Sequence, residues 1–183
     1  MRNLISITAV SLIVAVGASA GLLASAVGLS LLTAAPAVAQ DVRSPSGLPV
    51  PRFETIDSVT VRMRQGPSTS HRILWEFRDQ EGLPVEIVAE TEQWRQIRDP
   101  DGDLGWVHRS LLSGDRGAVV TGGMRALRME PADEAPTIAY MEPRVVVDLG
   151  DCTSDWCQVT VASHTGWVHH DEIWGVYPAE VVQ

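Results

Sequence analysis

Two sets of tryptophan and histidine recur along this chain at matched spacing, and they are the residues best suited to contact chemistry. Gly105-Trp106-Val107-His108 closes one segment and Gly166-Trp167-Val168-His169 closes another, with Trp94 and Trp156 a short way upstream of each. An indole beside an imidazole can stack on a sugar face or a peptide and offer one hydrogen bond. Trp94, His108, Trp156 and His169 are therefore the candidate ligand-binding residues. Trp106 and Trp167 read as core fillers, whereas Trp94 and Trp156, each beside a polar turn, read as partly exposed. Trp75 and Trp174 have no tryptophan counterpart in the other segment, and their types assign them no role.

The two cysteines, Cys152 and Cys157, flank Thr153-Ser154-Asp155-Trp156 at what reads as a hairpin tip. In an exported protein so close a pair oxidises to a disulfide. Closing so short a loop stabilises by about 2 kcal/mol in the chain-entropy account. The aligned residues of the other segment are Glu90 and Arg95, which predicts a cross-hairpin ion pair where this segment has sulfur. Positions 152 and 157 sum to an odd number, while shared-face pairing of Val145, Val147 and Leu149 with Val159 and Val161 needs an even one. A β-bulge near Gly150 reconciles the two.

Catalytic readings fare worse. A cysteine nucleophile with His164, His169 or His170 would suit a peptidase, but the repeats leave too few residues for a catalytic body. Redox chemistry favours Cys-x-x-Cys at a helix start, not four intervening residues on a hairpin. No Gly-x-Ser-x-Gly elbow is present to support serine chemistry. Asp99-Pro100-Asp101-Gly102-Asp103 has its glycine fourth rather than sixth and Ser110 at position twelve, so it reads as a hairpin turn rather than a calcium loop. His164, His169, His170 and Asp171 could ligate zinc, but adjacent strand residues face opposite ways, so His169 and His170 cannot easily share an ion. The expectation is no enzyme, no cofactor and no metal.

The elements that must position the four contact residues are short strands. Val59, Val61 and Met63 alternate with polar residues, the period of a half-buried strand. Ile73 to Phe77, Val85 to Ala89, Trp94 to Arg98 and Gly105 to Ser110 follow, separated by turns such as Gln65-Gly66-Pro67-Ser68-Thr69-Ser70. Five short strands with regular turns predict a small barrel. Thr137 to Met141, Val145 to Leu149, Trp156 to Val161 and Gly166 to His170 repeat the pattern. Val61–Pro67 lies against Arg125–Pro131 at an offset of 64, Trp94 against Trp156 at 62 and Trp106 against Trp167 at 61. A period of about sixty residues exceeds solenoid and propeller repeats, so each copy is expected to be a domain of its own. A domain that small is marginally stable alone.

Met1-Arg2-Asn3 is a cationic start, Leu4 to Leu32 carries no charge, and Ala37-Val38-Ala39 precedes Gln40 in the small-x-small pattern of a processing site. Residues 1–39 read as a signal peptide cut between Ala39 and Gln40. The alternative is an uncleaved anchor, since the apolar stretch exceeds the roughly 20 residues that span a bilayer. With no cysteine before Cys152, a lipid-modified processing-site cysteine is not expected. Residues 40–52, with three prolines, read as a semi-rigid spacer; the other reading packs Leu48–Arg52 along the neighbouring domain. All 14 basic residues are arginine, and the formal net charge is −9. Their interleaving with Asp and Glu disfavours nucleic acid and anionic lipid.

The run Val61–Ser70, then Gly82-Leu83-Pro84-Val85, Trp94 four residues before Arg98, and Gly105 to Leu112 resembles the bacterial SH3-like domain. The second copy is similar to a diverged member: it keeps Leu127-Arg128, Pro131, Trp156 and Gly166-Trp167-Val168 but lacks the Gly-Pro-Ser-Thr loop. The resemblance implies an all-β protein of two tandem small SH3-like β-barrels after an N-terminal signal segment, with domains at 53–114 and 118–177. It also implies an exported, non-catalytic envelope module, periplasmic or secreted, whose partner is peptidoglycan or a peptide. The alternative is a structural or scaffolding role toward an envelope protein. No nucleic acid is implied, and membrane contact only if the leader stays attached. In the groove of proline-recognising SH3 domains, His108 stands where a proline would be and Leu111 where a tyrosine would be. Trp156, His169 and Glu172 are the corresponding residues of copy two, so polyproline recognition is not expected.

Overall fold

The computed structural model describes residues 44–183. The expected signal peptide, its expected cut between Ala39 and Gln40 and the first residues of the expected spacer lie outside them.

The described chain forms two seven-stranded antiparallel sheets with the same internal order. The first copy comprises β1 (Arg52–Ile56), β2 (Thr60–Arg64), β3 (Ile73–Arg78), β4 (Pro84–Glu90), β5 (Trp94–Arg98), β6 (Leu104–His108) and β7 (Leu112–Ser113). The second comprises β8 (Gly117–Val120), β9 (Arg125–Arg128), β10 (Thr137–Met141), β11 (Val146–Cys152), β12 (Trp156–Val161), β13 (His164–His169) and β14 (Ile173–Trp174). The orders are β3-β2-β6-β5-β4-β1-β7 and β10-β9-β13-β12-β11-β8-β14, which superimpose strand for strand. A single 3₁₀ turn follows β6 at Arg109–Leu111 and β13 at His170–Glu172. The all-β, tandem reading of the sequence is thus the observed one.

Each copy closes on an apolar interior of its own. Val61, Met63, Val85, Ile87, Ile97 and Val107 are among the residues filling the first. Leu127, Val147, Leu149, Val159 and Val168 occupy the equivalent places in the second. Alternation along each strand puts these side chains on one face, as a two-residue period requires. Five strands per copy were expected, and seven form. The short β7, β8 and β14 carry too few residues for a period to show, and their partners are supplied by chain remote in sequence. Val59 falls just before β2 and is exposed, so the alternation stops one residue short of its apparent start.

Over its described part the spacer follows the other reading, packing along the neighbouring domain, and the free-spacer reading is corrected. Arg52 already belongs to β1, and the Ser46 backbone N–H and hydroxyl both donate to the Glu90 carboxylate, as does the Arg52 guanidinium. Residues 46–52 are therefore docked along the first barrel by a buried carboxylate. Proline content alone does not register such a partner, because its acceptor lies 44 residues away.

The barrels also touch one another. Val146 of β11 packs against the first barrel's interior, and Phe53 meets the Trp174 ring edge-on at 5.0 Å between centroids. Tyr177 donates its hydroxyl to Glu86 at 3.1 Å, and Arg144 pairs with both oxygens of Asp101 at 2.7 and 3.0 Å. A Cβ on Gly117 would stand 2.3 Å from the Gly82 carbonyl oxygen, so glycine there allows backbone to meet backbone across the junction.

Candidate functional site

The site is built by one hairpin in each barrel. In the register of β5 with β6, Trp94 lies directly opposite His108; in that of β12 with β13, Trp156 lies directly opposite His169. Directly opposed antiparallel residues present side chains on the same face. The alternation of β6 makes that face the outer one, since Gly105 and Val107 are buried. The duplicated sequence therefore sets an indole and an imidazole on one face together, twice.

The two pairs are not alike in detail. Trp94 and His108 meet edge-to-face, with centroids 5.4 Å apart and planes at 90°. Trp156 and His169 lie nearly stacked, 3.6 Å apart at 31°. His108 Nδ1 is 2.7 Å from the Ser110 hydroxyl and accepts from the Ser110 backbone N–H. With Nδ1 accepting, the proton sits on Nε2, which is the outward donor. His169 instead spends Nε2 on Asp133, at 2.7 Å. The first pair lines a groove of about 440 Å³ with Thr60, Arg62, Arg64, Thr69 and Leu111. The second borders a cleft of about 910 Å³ between the barrels, which includes Phe53, Glu86 and Tyr177. Burial, aided by the Glu86 carboxylate, pushes the Tyr177 phenol up, so it stays a donor to Glu86.

Two expectations about tryptophan burial are corrected. Trp106 and Trp167 do not fill the cores; both are half-buried on the outer face. The interior opposite them is closed at the glycines: a Cβ on Gly105 would stand 2.3 Å from Met63 Cγ, and one on Gly166 2.6 Å from the Arg128 carbonyl oxygen. Strand parity, not ring size, decides which residue faces in. Trp94 is partly exposed as expected, but Trp156 is buried at 9% exposure under the stacked His169 ring. Trp174 packs on Phe53, whereas Trp75 is exposed on edge strand β3.

The hairpin tips carry the predicted substitution. Cys152 and Cys157 are disulfide-bonded, and Glu90 pairs opposite Arg95 at the same place in the first barrel. The register of β11 with β12 shifts between Leu149 and Cys152, the expected bulge. A matching shift between Ile87 and Ala89 went unseen because no glycine marks it. Each tip is covered by a segment flanking its barrel: Ser46 and Arg52 bind Glu90, while Val182 exchanges two backbone hydrogen bonds with Cys152. Burial would raise the Glu90 carboxyl, but the hydrogen bonds from Ser46 and Arg52 outweigh it and hold the pKa down at about 2.

Among the described residues, Cys152, Cys157 and His170 are the group whose ligand-type atoms converge, within 4.8 Å, but the two sulfurs are bonded to each other. The acidic run at 99–103 is a turn, as expected. Asp99 Oδ1 accepts from the backbone N–H of Asp101 and Asp103, and Asp101 faces Arg144.

No curated protein matches the chain. Among solved structures it is similar to the NlpC2 structure from Trichomonas vaginalis, at 12% identity and a TM-score of 0.32, covering 68% of this chain and 48% of that one. It is also similar to the NlpC1 structure from the same organism, at 11% identity and a TM-score of 0.32, covering 69% and 46%. The chain thus spans about half the length of those proteins. The family model described as the bacterial SH3 domain matches residues 57–114 and again 122–175. That double match takes in β2–β7 and β9–β14, and the chain belongs to the bacterial SH3 domain family.

Proposed function

We propose that this is a non-catalytic, exported envelope protein, periplasmic or secreted, that binds peptidoglycan or a peptide through its Trp–His faces. The observation that carries the reading is the duplicated cross-strand pair, Trp94 with His108 lining a groove of the first barrel and Trp156 with His169 bordering the cleft between the barrels. An aromatic face beside a hydrogen-bonding imidazole suits a ligand that alternates ring or methyl surface with amide groups. Membership of the bacterial SH3 domain family and the leader-like first 39 residues support it.

Retention on purified cell-wall sacculi tests the proposal. The chain is expected to be retained, and Trp94→Ala, at the partly exposed indole, to weaken that retention while circular dichroism stays unchanged; adding Trp156→Ala is expected to abolish it. No retention of the parent chain would refute it. A second reading, a scaffold toward an envelope protein, draws on the apolar side chains exposed on edge strands: Ile73 and Trp75 of β3, Ile138 and Tyr140 of β10. An edge strand with exposed apolar groups can pair with an incoming strand.

A further inference from the structure

The duplication places the same aromatic pair in two electrostatic settings, and in one of them the chain supplies its own ligand group. In the second barrel, Asp133 reaches from the loop after β9 to His169, its Oδ1 2.7 Å from Nε2. By the offset that aligns Pro67 with Pro131, the residue of the first barrel equivalent to Asp133 is Thr69. Thr69 lines the groove beside Trp94 and His108 but brings no charge to it. The first Trp–His pair therefore lacks the carboxylate that the second has at the aligned loop position.

What remains there is suited to an anion. Among the groove's seven lining residues are two arginines and no Asp or Glu, in a chain whose formal net charge is −9. Arg62 is neutralised by Glu76 at 2.7 Å. Arg64 is different: one of its guanidinium nitrogens donates to the carbonyls of Thr69 and His71, at 2.9 and 2.8 Å, and among the described residues it has no carboxylate partner. Those bonds fix the guanidinium at the groove wall with its full charge and its remaining N–H groups unspent. His108 presents Nε2–H because Ser110 occupies Nδ1. A fixed guanidinium, an imidazole donor and an indole edge form a site for a carboxylate attached to an apolar or ring-bearing body.

We propose that the Trp94–His108 groove recognises a free carboxylate on its ligand, held by Arg64 and His108 where Asp133 stands in the second barrel. This rests on the first groove being a ligand site, as in the proposed function, and names the group it reads.

The test uses the folded chain and small probes followed through the Trp94 indole N–H resonance. One pair is tri-alanine as free acid and as amide; the other is glucuronate and glucuronamide. At least one acid is expected to bind fivefold or more tighter than its neutral partner, and the pair that discriminates identifies a peptide or a sugar-acid source. Thr69→Asp, at an exposed position, supplies the groove with a carboxylate of its own and is expected to weaken acid binding at least fivefold with an unchanged melting temperature. Less than fivefold preference in both pairs overturns the proposal, as does unimpaired acid binding by Thr69→Asp. Sacculus retention without acid preference would sink this inference alone. Acid preference without retention would sink the peptidoglycan reading and leave the carboxylate site standing.

Discussion

Replacing Glu90 by glutamine tests whether a buried charge pair does in the first barrel what a covalent bond does in the second. The Glu90 side chain is 1% exposed, with Arg52 at 2.9 Å and Arg95 at 3.0 Å, themselves 11% and 7% exposed. The Arg95 Nε–H points off the line to the carboxylate, so charge rather than hydrogen-bond alignment holds that contact. Glutamine keeps an acceptor for Ser46 and Arg52 keeps Glu54, but the shielded Arg95 guanidinium loses its counter-charge, a change that costs about 3 kcal/mol or more in comparable buried pairs. The titration leads to a similar size. A pKa lowered from 4.5 to about 2 corresponds to roughly 3 kcal/mol, and solvent at the rim reduces this to roughly 2. Because the folded carboxyl titrates below the unfolded one, this stability is fully present above about pH 4.5 and is lost as pH falls toward 2. Urea unfolding followed by tryptophan fluorescence at pH 7 is expected to show Glu90→Gln less stable by about 2–3 kcal/mol. The gap should close between pH 4.5 and 2. A loss under about 0.5 kcal/mol at pH 7, or a gap independent of pH, would refute the reasoning.

Two further predictions follow from the packing. Converting Cys152 and Cys157 to alanine is expected to lower stability by about 2 kcal/mol and to speed amide exchange at Val182, which bridges to Cys152; unfolding and hydrogen-exchange mass spectrometry read both. Gly117→Ala, which must push a methyl to within 2.3 Å of the Gly82 carbonyl oxygen, is expected to cost roughly 1–3 kcal/mol and to loosen the junction, seen as new protease sensitivity between residues 114 and 117.

Much of the candidate site's geometry was legible because its logic is local. The spacing from Trp94 to His108 spans a single hairpin, so two short strands and a turn suffice to bring them opposite. The same holds for Trp156 and His169, for the disulfide, and for the bulge that parity demanded. What escaped depends on distant chain or on which face is full. Trp106 and Trp167 looked like core residues because large rings often are, yet the neighbouring glycines had already closed the interior. Arg64 as a groove residue was hidden, since its fixing partners are loop carbonyls and carry no side-chain signature. Asp133 carries no motif of its own, and the fold alone sets it on His169.

The order of amino acids by itself determined that the protein is a duplication, that each half is made of short strands, and that an indole and an imidazole share a face in each. Hydrophobic alternation and hairpin spacing are near-neighbour properties, set by a two-residue period and by turn residues. Only the tertiary structure decided that residues 46–52 dock on Glu90, that Val182 covers the disulfide, and that one Trp–His pair stays open while its duplicate is capped by Asp133. Each of those contacts joins residues whose meeting depends on how whole strands are ordered in the sheets, and neither propensity nor spacing encodes that order directly.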